Sequence, residues 1–422
     1  MIFTKKVRDI VHKTSFKNGV WMYLLQFFNA IVPMLTIPYI TRILGAAQYG
    51  VFSMALNIVT YLQVVVEYGF GMSATRKVAL FERENIDRLF TAVLFSRIFL
   101  LILCAVFSGI YVFIRISNIR FCLSLSVLLI CLLGYCVQVN WLFQGKQEMK
   151  YISLINIFAR VISVIGIFCF VKSSEDLLLY CLLYSVSPFL SGFIGMMIAW
   201  KKYNLKIVRI SVCEIGRELK DGWYVFTTQL SSKVFSAIGI TFLGLLATET
   251  EVGVFSAIQK IPNIIMLGWT PIAQVLYPIS SKRLKEDWGK GTNFVYSIRK
   301  TIIIIFLLIA TLVSIFSKLG ILILFGEEYV SHFYWAIPLL YWIVIAINNN
   351  FMGVQILLGS CHDKEYSKCF QIGVICTVIT NLILIYLWRG NGASIAPLLS
   401  ETILGFLLAH EIRKIDSANG HD

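Results

Sequence analysis

Charged residues are scarce in this chain of 422 residues, and long polar segments are missing. Asp, Glu, Lys and Arg together make up 14% of the residues, compared with about 25% in typical soluble domains. Hydrophobic residues make up 58%, and the mean hydropathy is +0.78. The longest segment between apolar runs, residues 201–222, is too short to form a soluble domain. This excludes a catalytic domain outside the membrane, so we expect the function to lie in the helices.

The sequence also lacks the usual signals of metal sites, disulfide frameworks and cleaved leaders. Its ten cysteines show no C-x-x-C spacing and no nearby His pairs, so we expect small buried thiols, no metal and no cofactor. The N-terminal segment MIFTKKVRDIVHKTSFK has no short apolar region followed by a small-residue cleavage site. The first span is therefore expected to be an uncleaved anchor.

Long apolar runs are what the chain does have. A helix of about 20 apolar residues crosses a hydrocarbon core about 30 Å thick, and runs of that length recur from end to end. They predict an all-α polytopic membrane protein with about twelve transmembrane helices. The runs lie near residues 18–40, 51–70, 89–114, 121–143, 152–171, 177–200, 223–247, 254–279, 301–325, 331–358, 369–388 and 393–410.

The distribution of Lys and Arg predicts the orientation. Of the 37 basic residues, 27 lie at the two termini and in alternate loops, and the remaining ten are shared between the opposite loops and the spans. Since cytoplasmic loops carry the excess of basic residues, both termini are predicted to be cytoplasmic. The net charge of +14 then follows from topology. Nucleic-acid binding is not expected, because the basic loops are short and carry no reading element.

An internal duplication organises the chain. The motif GVFS occurs at residues 50–53 and again at 253–256, and the same offset of 203 residues pairs Gln26 with Gln229. Such a common register indicates duplication. We predict an N-terminal six-helix bundle (1–200), a basic cytoplasmic linker (201–222) and a C-terminal six-helix bundle (223–422). Since each half has an even number of spans, the halves are predicted to be parallel, pseudo-symmetric repeats around a central cavity, an arrangement suited to alternating access.

Charges inside the predicted spans are the strongest candidates for function. A charge at bilayer depth costs at least about 2.5 kcal/mol, so each one needs a reason. Snorkelling to the interface is the structural alternative for the cations, and pairing or an interfacial position is the alternative for the acids. Basic groups outnumber acidic ones, which favours an anionic solute. The six residues are Arg97, Arg160, Lys233, Lys260, Glu67 and Glu401.

Amide side chains in the spans add donors and acceptors that would suit a ligand with many hydroxyl groups. Hydrogen bonding between helices is the structural alternative for each of them. We select as candidates Asn348, Asn349, Asn350, Gln26 and Gln229.

Four segments resemble a known family. They are RILGAAQYG (42–50), EYGFGMSATRKVA (67–79), WLFQG (141–145) and VGVFSAIQKIP (252–262). Together with twelve spans and a basic N-terminus, they resemble the Wzx-type polysaccharide flippases. These belong to the polysaccharide transporter branch of the multidrug, oligosaccharidyl-lipid and polysaccharide exporter superfamily. The fourteen-helix lipid II flippases of that superfamily would need two further spans.

The resemblance implies a two-lobed transporter of the bacterial inner membrane. Its substrate would be an undecaprenyl-diphosphate-linked oligosaccharide, moved from the cytoplasmic to the periplasmic leaflet for O-antigen, capsule or exopolysaccharide assembly. Arg97, Arg160, Lys233 and Lys260 would then attract the diphosphate or acidic sugars, while the amides face the glycan. Glu401, and secondarily Glu67, would couple transport to an ion gradient. Membrane lipids, a polysaccharide polymerase and a chain-length regulator are the expected partners.

Two other classes of function compete with this interpretation. A multidrug or small-cation antiporter of the same superfamily would need buried acids to outnumber buried bases, and here the bases are in excess. A glycan polymerase, ligase or glycosyltransferase would need a large external loop or an acidic motif at a loop edge, and the outer segments are short. We therefore expect a transporter and not an enzyme.

Overall fold

The computed structural model describes residues 2–80, 83–114 and 118–418, with the side chains of residues 17–80, 85–114 and 118–417. Its described elements are helices, as predicted from the apolar runs. In the N-terminal half they are α1 (Ile2–Glu67), α2 (Phe70–Leu80), α3 (Arg83–Ile114), α4 (Ile119–Leu128), α5 (Ile130–Val137), α6 (Asn140–Gly145), α7 (Met149–Phe170) and α8 (Leu177–Tyr203). In the C-terminal half they are α9 (Val212–Leu246), α10 (Glu249–Ile258), α11 (Lys260–Glu286), α12 (Trp288–Ile315), α13 (Ser317–Phe325), α14 (Glu327–Val330), α15 (Ala336–Asn350), a π-helix (Phe351–Leu358) and α16 (Asp363–Ala418).

The number of membrane spans agrees with the sequence. Within the described residues, ten helical segments are long and apolar enough to cross a membrane. Two of these segments each contain two predicted spans, because the backbone leaves helical geometry at Gly45 (φ 73°, ψ 169°) inside α1 and at Arg389 (φ 48°, ψ −122°) inside α16. Each interruption separates two predicted spans. The prediction of an all-α polytopic membrane protein with about twelve spans is confirmed.

The ninth span differs from its predicted bounds. The sequence places it at residues 301–325, because Lys290, Arg299 and Lys300 mark the preceding segment as a loop. In the structure α12 begins at Trp288 and ends at Ile315, and residues 317–325 form the separate helix α13. Arg299 therefore lies inside a continuous helix.

Contacts divide the chain into two units. The N-terminal unit comprises Met1–Thr36 and Met54–Lys233, and the C-terminal unit comprises Ile37–Ser53 and Val234–Asp422. Helix α9 begins at Val212, within the segment that the sequence treats as linker. The end of the first span and the start of the second thus pack with the C-terminal unit.

The duplicated GVFS motifs meet within the C-terminal unit. A Cβ atom built on Gly50 would lie 1.8 Å from the backbone oxygen of Glu249, and one built on Gly253 would lie 1.8 Å from that of Ala46. Ala46 and Glu249 are themselves 203 residues apart, so the contact is reciprocal. Glycine is required at both positions, because any side chain would collide with the opposing backbone.

The turn at Gly45 is held by side chains of the C-terminal unit. The backbone N–H of Ala46 donates to Oε2 of Glu328 at 2.9 Å, which caps a helix start that has no internal acceptor. Arg42 donates to the backbone oxygen of Ile323, and Tyr329 Oη donates to the backbone oxygen of Thr41 at 3.3 Å. These bonds fix the bend between the first two spans.

Ion pairs join α2 to α9 in the N-terminal unit. Lys77 Nζ lies 2.7 Å from Oε2 of Glu218 and 2.8 Å from Oδ2 of Asp221. Arg88 on α3 pairs with Glu214 at 3.2 Å. Since α2 is only 11 residues long, the two contacts of Lys77 orient it against the start of α9.

Candidate functional site

The first helix of the N-terminal unit ends at Glu67. Tyr68 and Gly69 both have positive φ angles, 46° and 74°, and α2 begins at Phe70. A Cβ on Gly69 would lie 2.7 Å from Val225, so only glycine lets the chain pass this close to α9. Tyr68 stacks on Phe226 of α9, with ring centroids 4.5 Å apart. The break therefore places Glu67 near α9. The Glu67 carboxylate accepts a hydrogen bond from Nε2 of Gln63, one turn earlier on α1, at 3.0 Å.

A second helix break lies in the fourth span. Helix α5 ends at Val137, and Gln138 is extended (φ −67°, ψ 125°) before α6 begins at Asn140. Arg97 of α3 reaches this break, and its Nη1 donates to the backbone oxygens of Gln138 and Tyr135. A cation at carbonyls left free by a helix end is stabilising. Arg97 thus supports the broken helix.

The surroundings of Arg97 show how fully it is used by the fold. Its side chain is only 5% exposed, and its guanidinium carbon lies 5.8 Å from the centroid of the Phe70 ring. Its Nε is buried and has no hydrogen-bond partner among the described residues. A group held this way by backbone and ring is poorly placed to contact a large solute. The sequence argument had treated Arg97 like the other cations.

Arg97 is one of several charged residues that lie within range of one another in the N-terminal unit. The charge of Glu67 acts on Arg97 and on Lys233. Tyr135 lies within range of the charges of both Glu67 and Arg160. We call Glu67, Arg97, Arg160 and Lys233 the N-terminal cation cluster. It has three basic groups and one acid, so it carries the excess of positive charge that the sequence predicts.

The members of the N-terminal cation cluster differ in burial. Arg160 on α7 and Lys233 on α9 are half-buried, whereas Arg97 is almost fully buried. Tyr135 and Tyr184 add aromatic rings near Arg160. The half-buried cations are the ones with room to contact a ligand.

The fourth predicted cation lies apart from this cluster along the chain. Lys260 is the first residue of α11, after the interruption between α10 and α11 at Gln259, and it is half-buried in the C-terminal unit. The structure therefore brings together three of the four predicted cations in one unit. Of the candidate glutamines, Gln26 is exposed on α1 and Gln229 is half-buried on α9.

The C-terminal unit contains a continuous polar chain that joins α12, α15 and α16. Arg299 Nε donates to Oδ1 of Asn348 at 2.7 Å, and Asn348 Nδ2 donates to Oδ1 of Asn349 at 3.4 Å. Asn349 Nδ2 donates to Oε2 of Glu401 at 2.6 Å and to the backbone oxygen of Glu401 at 2.7 Å. We call these four residues the Arg299–Glu401 chain.

The acid at the end of this chain is deeply buried. Glu401 is 6% exposed and Asn349 is 4% exposed. The indole of Trp342 on α15 also lies near the Glu401 carboxylate. A Cβ on Gly405 would lie 2.7 Å from Oδ1 of Asn349, so this glycine makes room for the amide. Within the described residues no basic side chain lies within 4.0 Å of the Glu401 carboxylate, so its recorded partners are neutral donors.

The third span of each half carries an arginine whose side chain reaches the fourth span of that half, at the point where regular α geometry ends. Arg97 binds carbonyls around the end of α5 at Val137. Arg299 binds Asn348, two residues before α15 gives way to the π-helix after Asn350. Sequence reasoning missed Arg299, because the neighbouring basic residues made it look like part of a cytoplasmic loop. If residues from Trp288 onward are taken as helix, as they are in α12, Arg299 falls within the span.

The three predicted asparagines have different environments. Asn348 and Asn349 are occupied by the Arg299–Glu401 chain, while Oδ1 of Asn350 is buried with no hydrogen-bond partner among the described residues. Over the same part of the chain, no group of three or more His, Cys, Asp or Glu side chains is arranged to hold a metal ion. The N-terminal unit thus offers cations and tyrosines, and the C-terminal unit offers amides, an arginine and one deep acid.

Comparison with known proteins adds sequence relatives along most of the chain. Residues 15–284 match the family model described as polysaccharide biosynthesis protein. A protein of Escherichia coli strain K12 assigned as an O-antigen transporter is 27% identical over 404 residues, which cover 94% of this chain and 96% of the relative. A protein of Haloferax volcanii assigned as a flippase of low-salt glycan biosynthesis is 21% identical, over 93% of this chain and 82% of the relative.

Solved structures share the fold. The inward closed conformation of the lipid II flippase MurJ matches with a TM-score of 0.72 and 12% identity, covering 94% of this chain and 87% of that one. An inward-facing multidrug resistance transporter of the MATE family matches with a TM-score of 0.64 and 15% identity, covering 92% and 98%. At such low identity these likenesses show the fold alone.

Proposed function

This chain belongs to the polysaccharide biosynthesis protein family, and from that premise we propose that it flips undecaprenyl-diphosphate-linked oligosaccharide units across the bacterial inner membrane. Transport runs from the cytoplasmic to the periplasmic leaflet by alternating access, with both termini in the cytoplasm. The glycan serves O-antigen, capsule or exopolysaccharide assembly. The names of relatives assigned as an O-antigen transporter and as a glycan biosynthesis flippase support this substrate class.

The observation that carries the proposal is the N-terminal cation cluster. Three basic groups share one region with a single acid, and two helices break there, at residues 68–69 and 138–139. A lipid diphosphate needs positive charge when it leaves water. Arg160 can hold a phosphate through two parallel N–H groups, and Lys233 can act as a point charge.

Arg97 has a different role in this proposal. Because its Nη1 is bound to two backbone oxygens, it shapes the broken fourth span and contributes charge at a distance. Arg160 and Lys233 contact the diphosphate directly. This division follows from burial, since a ligand must reach the basic group that binds it.

The glycan is contacted by amides and aromatic rings. Asn350 has an unused acceptor, and Gln229 lies on the same helix as Lys233, about one helical turn away. Tyr135 and Tyr184, near Arg160, offer flat apolar surfaces with a polar tip. Lys260 and Gln26 remain candidates for transient contacts with the substrate. After transport, a polysaccharide polymerase and a chain-length regulator would act on the glycan.

Glu401 is the residue that we propose exchanges a proton during transport. It is 6% exposed and its recorded partners are neutral donors, so a change of conformation that hydrates it would alter its protonation. Glu67 is a weaker candidate, because its charge already interacts with Arg97 and Lys233. If Glu401 carries the proton, the Glu401→Gln variant should lose the pH dependence of transport. An unaltered pH profile in that variant would exclude this role.

The test of the main proposal is complementation of a strain from which the gene has been deleted. Arg160→Ala and Lys233→Ala should each remove surface polysaccharide while the protein remains in the membrane. Lys201→Ala, which removes an exposed lysine at the end of α8, is the matched control and should restore normal polysaccharide. Surface glycan would be measured on gels and by antibody, and membrane levels by immunoblot. Full surface polysaccharide in both cluster variants would refute the proposal.

A further inference from the structure

The direction of the Arg299–Glu401 chain is fixed at both ends by chemistry. An arginine side chain can only donate hydrogen bonds, so Oδ1 of Asn348 must face Arg299. A backbone carbonyl can only accept, so Nδ2 of Asn349 must face Glu401. Both amides therefore point the same way. Every hydrogen bond in the chain is donated from the side of Arg299 toward Glu401.

A chain of this kind transmits polarisation. Hydrogen bonds in series strengthen one another where the local dielectric is low. The cation on Arg299 withdraws electron density from Asn348, which makes its N–H groups better donors to Asn349, and the effect passes to the N–H that faces Glu401. A stronger donor stabilises a carboxylate over a carboxylic acid. The charge that Arg299 presents is thereby linked to the protonation of Glu401 through the side chains of Asn348 and Asn349.

Arg299 has a free edge that could receive a ligand. Only its Nε is used by Asn348, and its two terminal nitrogens make no hydrogen bond to any residue in the described parts of the chain. The guanidinium is half-buried, and its carbon lies 5.6 Å from the centroid of the Tyr296 ring. Two parallel N–H groups on a partly desolvated guanidinium match the two oxygens of a phosphate or a carboxylate.

We propose that Arg299 is a second anion-binding residue of this transporter and that anion binding there drives proton uptake by Glu401. The ligand class is an oxyanion, either the diphosphate or an acidic sugar of the lipid-linked glycan. The bound anion offsets the charge of Arg299 and weakens the polarised chain. The Glu401 carboxylate then takes up one proton from the buffered solution and becomes a carboxylic acid. This inference rests on the proposed function, because it assigns the coupling step of the same transport cycle.

The surroundings of Glu401 contain little else that could produce the effect. Trp342 and Asn349 face it from α15 and are neutral. On its own helix, α16, the charge of Glu401 acts on Tyr366, whose side chain is ordinarily neutral near pH 7. Within the described residues, the Arg299–Glu401 chain is the continuous hydrogen-bonded connection between this acid and a cation.

The linkage has a definite sign. Because anion binding favours protonation, protonation must favour anion binding to the same extent. Anion affinity should therefore rise as the pH falls through the range in which Glu401 titrates. For linkage to one proton the limit is about tenfold in affinity per pH unit. A carboxylate that only repelled the anion directly would keep this linkage when the two asparagines are removed.

The experiment uses the purified full chain in detergent and sulfate as the probe, because sulfate keeps its charge between pH 5 and 8. Sodium sulfate is added to protein in a weak buffer, and proton uptake is read with a pH indicator against sodium chloride of equal ionic strength. Binding of radiolabelled sulfate is measured in parallel by equilibrium dialysis. The wild type should take up protons when sulfate binds, with an upper limit of about one proton per bound sulfate, which is the most that linkage to a single site allows.

The variants separate the steps. Glu401→Gln should bind sulfate without proton uptake, and Asn348→Leu should bind sulfate with uptake reduced at least about twofold, since the polarised chain is cut. Arg299→Gln should lose the sulfate binding that is accompanied by proton uptake, while sulfate bound at the N-terminal cation cluster is retained. Asn381→Leu is the matched control, because Asn381 is a buried amide of α16 that bonds within its own helix to Thr377. It should behave as the wild type.

Several results would overturn the inference. They are sulfate binding without proton uptake in the wild type, unchanged uptake in Glu401→Gln or Asn348→Leu, and unchanged sulfate-linked proton uptake in Arg299→Gln. Should Arg299→Gln fail to fold, Arg299→Lys serves instead, and it should bind sulfate about tenfold more weakly because it lacks the two-pronged geometry. The proposed flippase function is tested separately by surface polysaccharide. Normal polysaccharide transport without proton uptake would refute only the coupling.

Discussion

Arg97 offers a direct test of how a buried cation is used in this fold. The sequence suggests that it binds the substrate, whereas the structure shows Nη1 bound to the backbone oxygens of Tyr135 and Gln138. The informative perturbation is Arg97→Met, which keeps most of the side-chain volume and removes every donor. If Arg97 supports the broken fourth span, this variant should lose stability first and transport as a consequence.

The size of the loss can be worked out from the contacts. Hydrogen bonds from a charged donor contribute about 1.5–3 kcal/mol each, and the bond to Tyr135 is long at 3.4 Å, so we count it at the lower end. Methionine recovers part of the cost by packing against Phe70. The net loss should be about 3 kcal/mol. For a cooperative unit of roughly 200 residues this lowers the melting temperature by about 6–12 °C.

The assay is thermal unfolding of the purified variants in detergent, together with surface polysaccharide in cells. Arg160→Met is the matched comparison, because Arg160 is half-buried and binds ligand in our proposal. It should melt within about 1 °C of the wild type, since a half-buried cation contributes little to stability, and should still abolish transport. If Arg97→Met melts like the wild type yet transports nothing, then Arg97 contacts the substrate and our interpretation of its role is wrong.

Two further predictions concern packing. Gly253→Ala should destabilise the protein by at least about 2 kcal/mol, because the new methyl group would lie 1.8 Å from the backbone oxygen of Ala46, while Gly268→Ala, with no atom within 4 Å, should be neutral or slightly stabilising. Thermal melts in detergent would compare the two, and equal melting temperatures would contradict the contact. Replacing Lys77 or Glu218 by Ala should cost about 1 kcal/mol, and the double variant little more, because the ion pair at 2.7 Å is then already lost. A double-mutant cycle at low and high salt would check this, and full additivity would show that the pair contributes nothing.

The sequence predicts the spans well because hydropathy measures the property that the bilayer selects. All twelve apolar runs correspond to helix in the structure. The span boundaries near residue 300 were harder to predict, since Lys290 and Lys300 suppress the hydropathy of a helix that continues past the membrane surface. A helix can leave the bilayer without ending, and composition alone does not show where it does.

The sequence identifies candidate residues by their type but says little about their contacts. The rule that a buried charge needs a reason selects Arg97, Arg160, Lys233 and Glu401, and their role in transport stays a prediction. It could not show that Arg97 binds backbone oxygens, because those oxygens become free only where α5 ends. Likewise, the pairing of Asn349 with Glu401 joins residues 52 positions apart, and no local pattern in the sequence encodes it.

The mutual approach of Gly50 and Gly253 has a consequence for how the two copies of the motif can change. Each glycine provides the space that the backbone of the other copy occupies. Replacing either glycine therefore already forces the two helices that carry the motif apart. A second replacement then finds that space already lost and should do little additional harm. The effects of substitutions at Gly50 and Gly253 should therefore be strongly non-additive, although 203 residues separate the two positions.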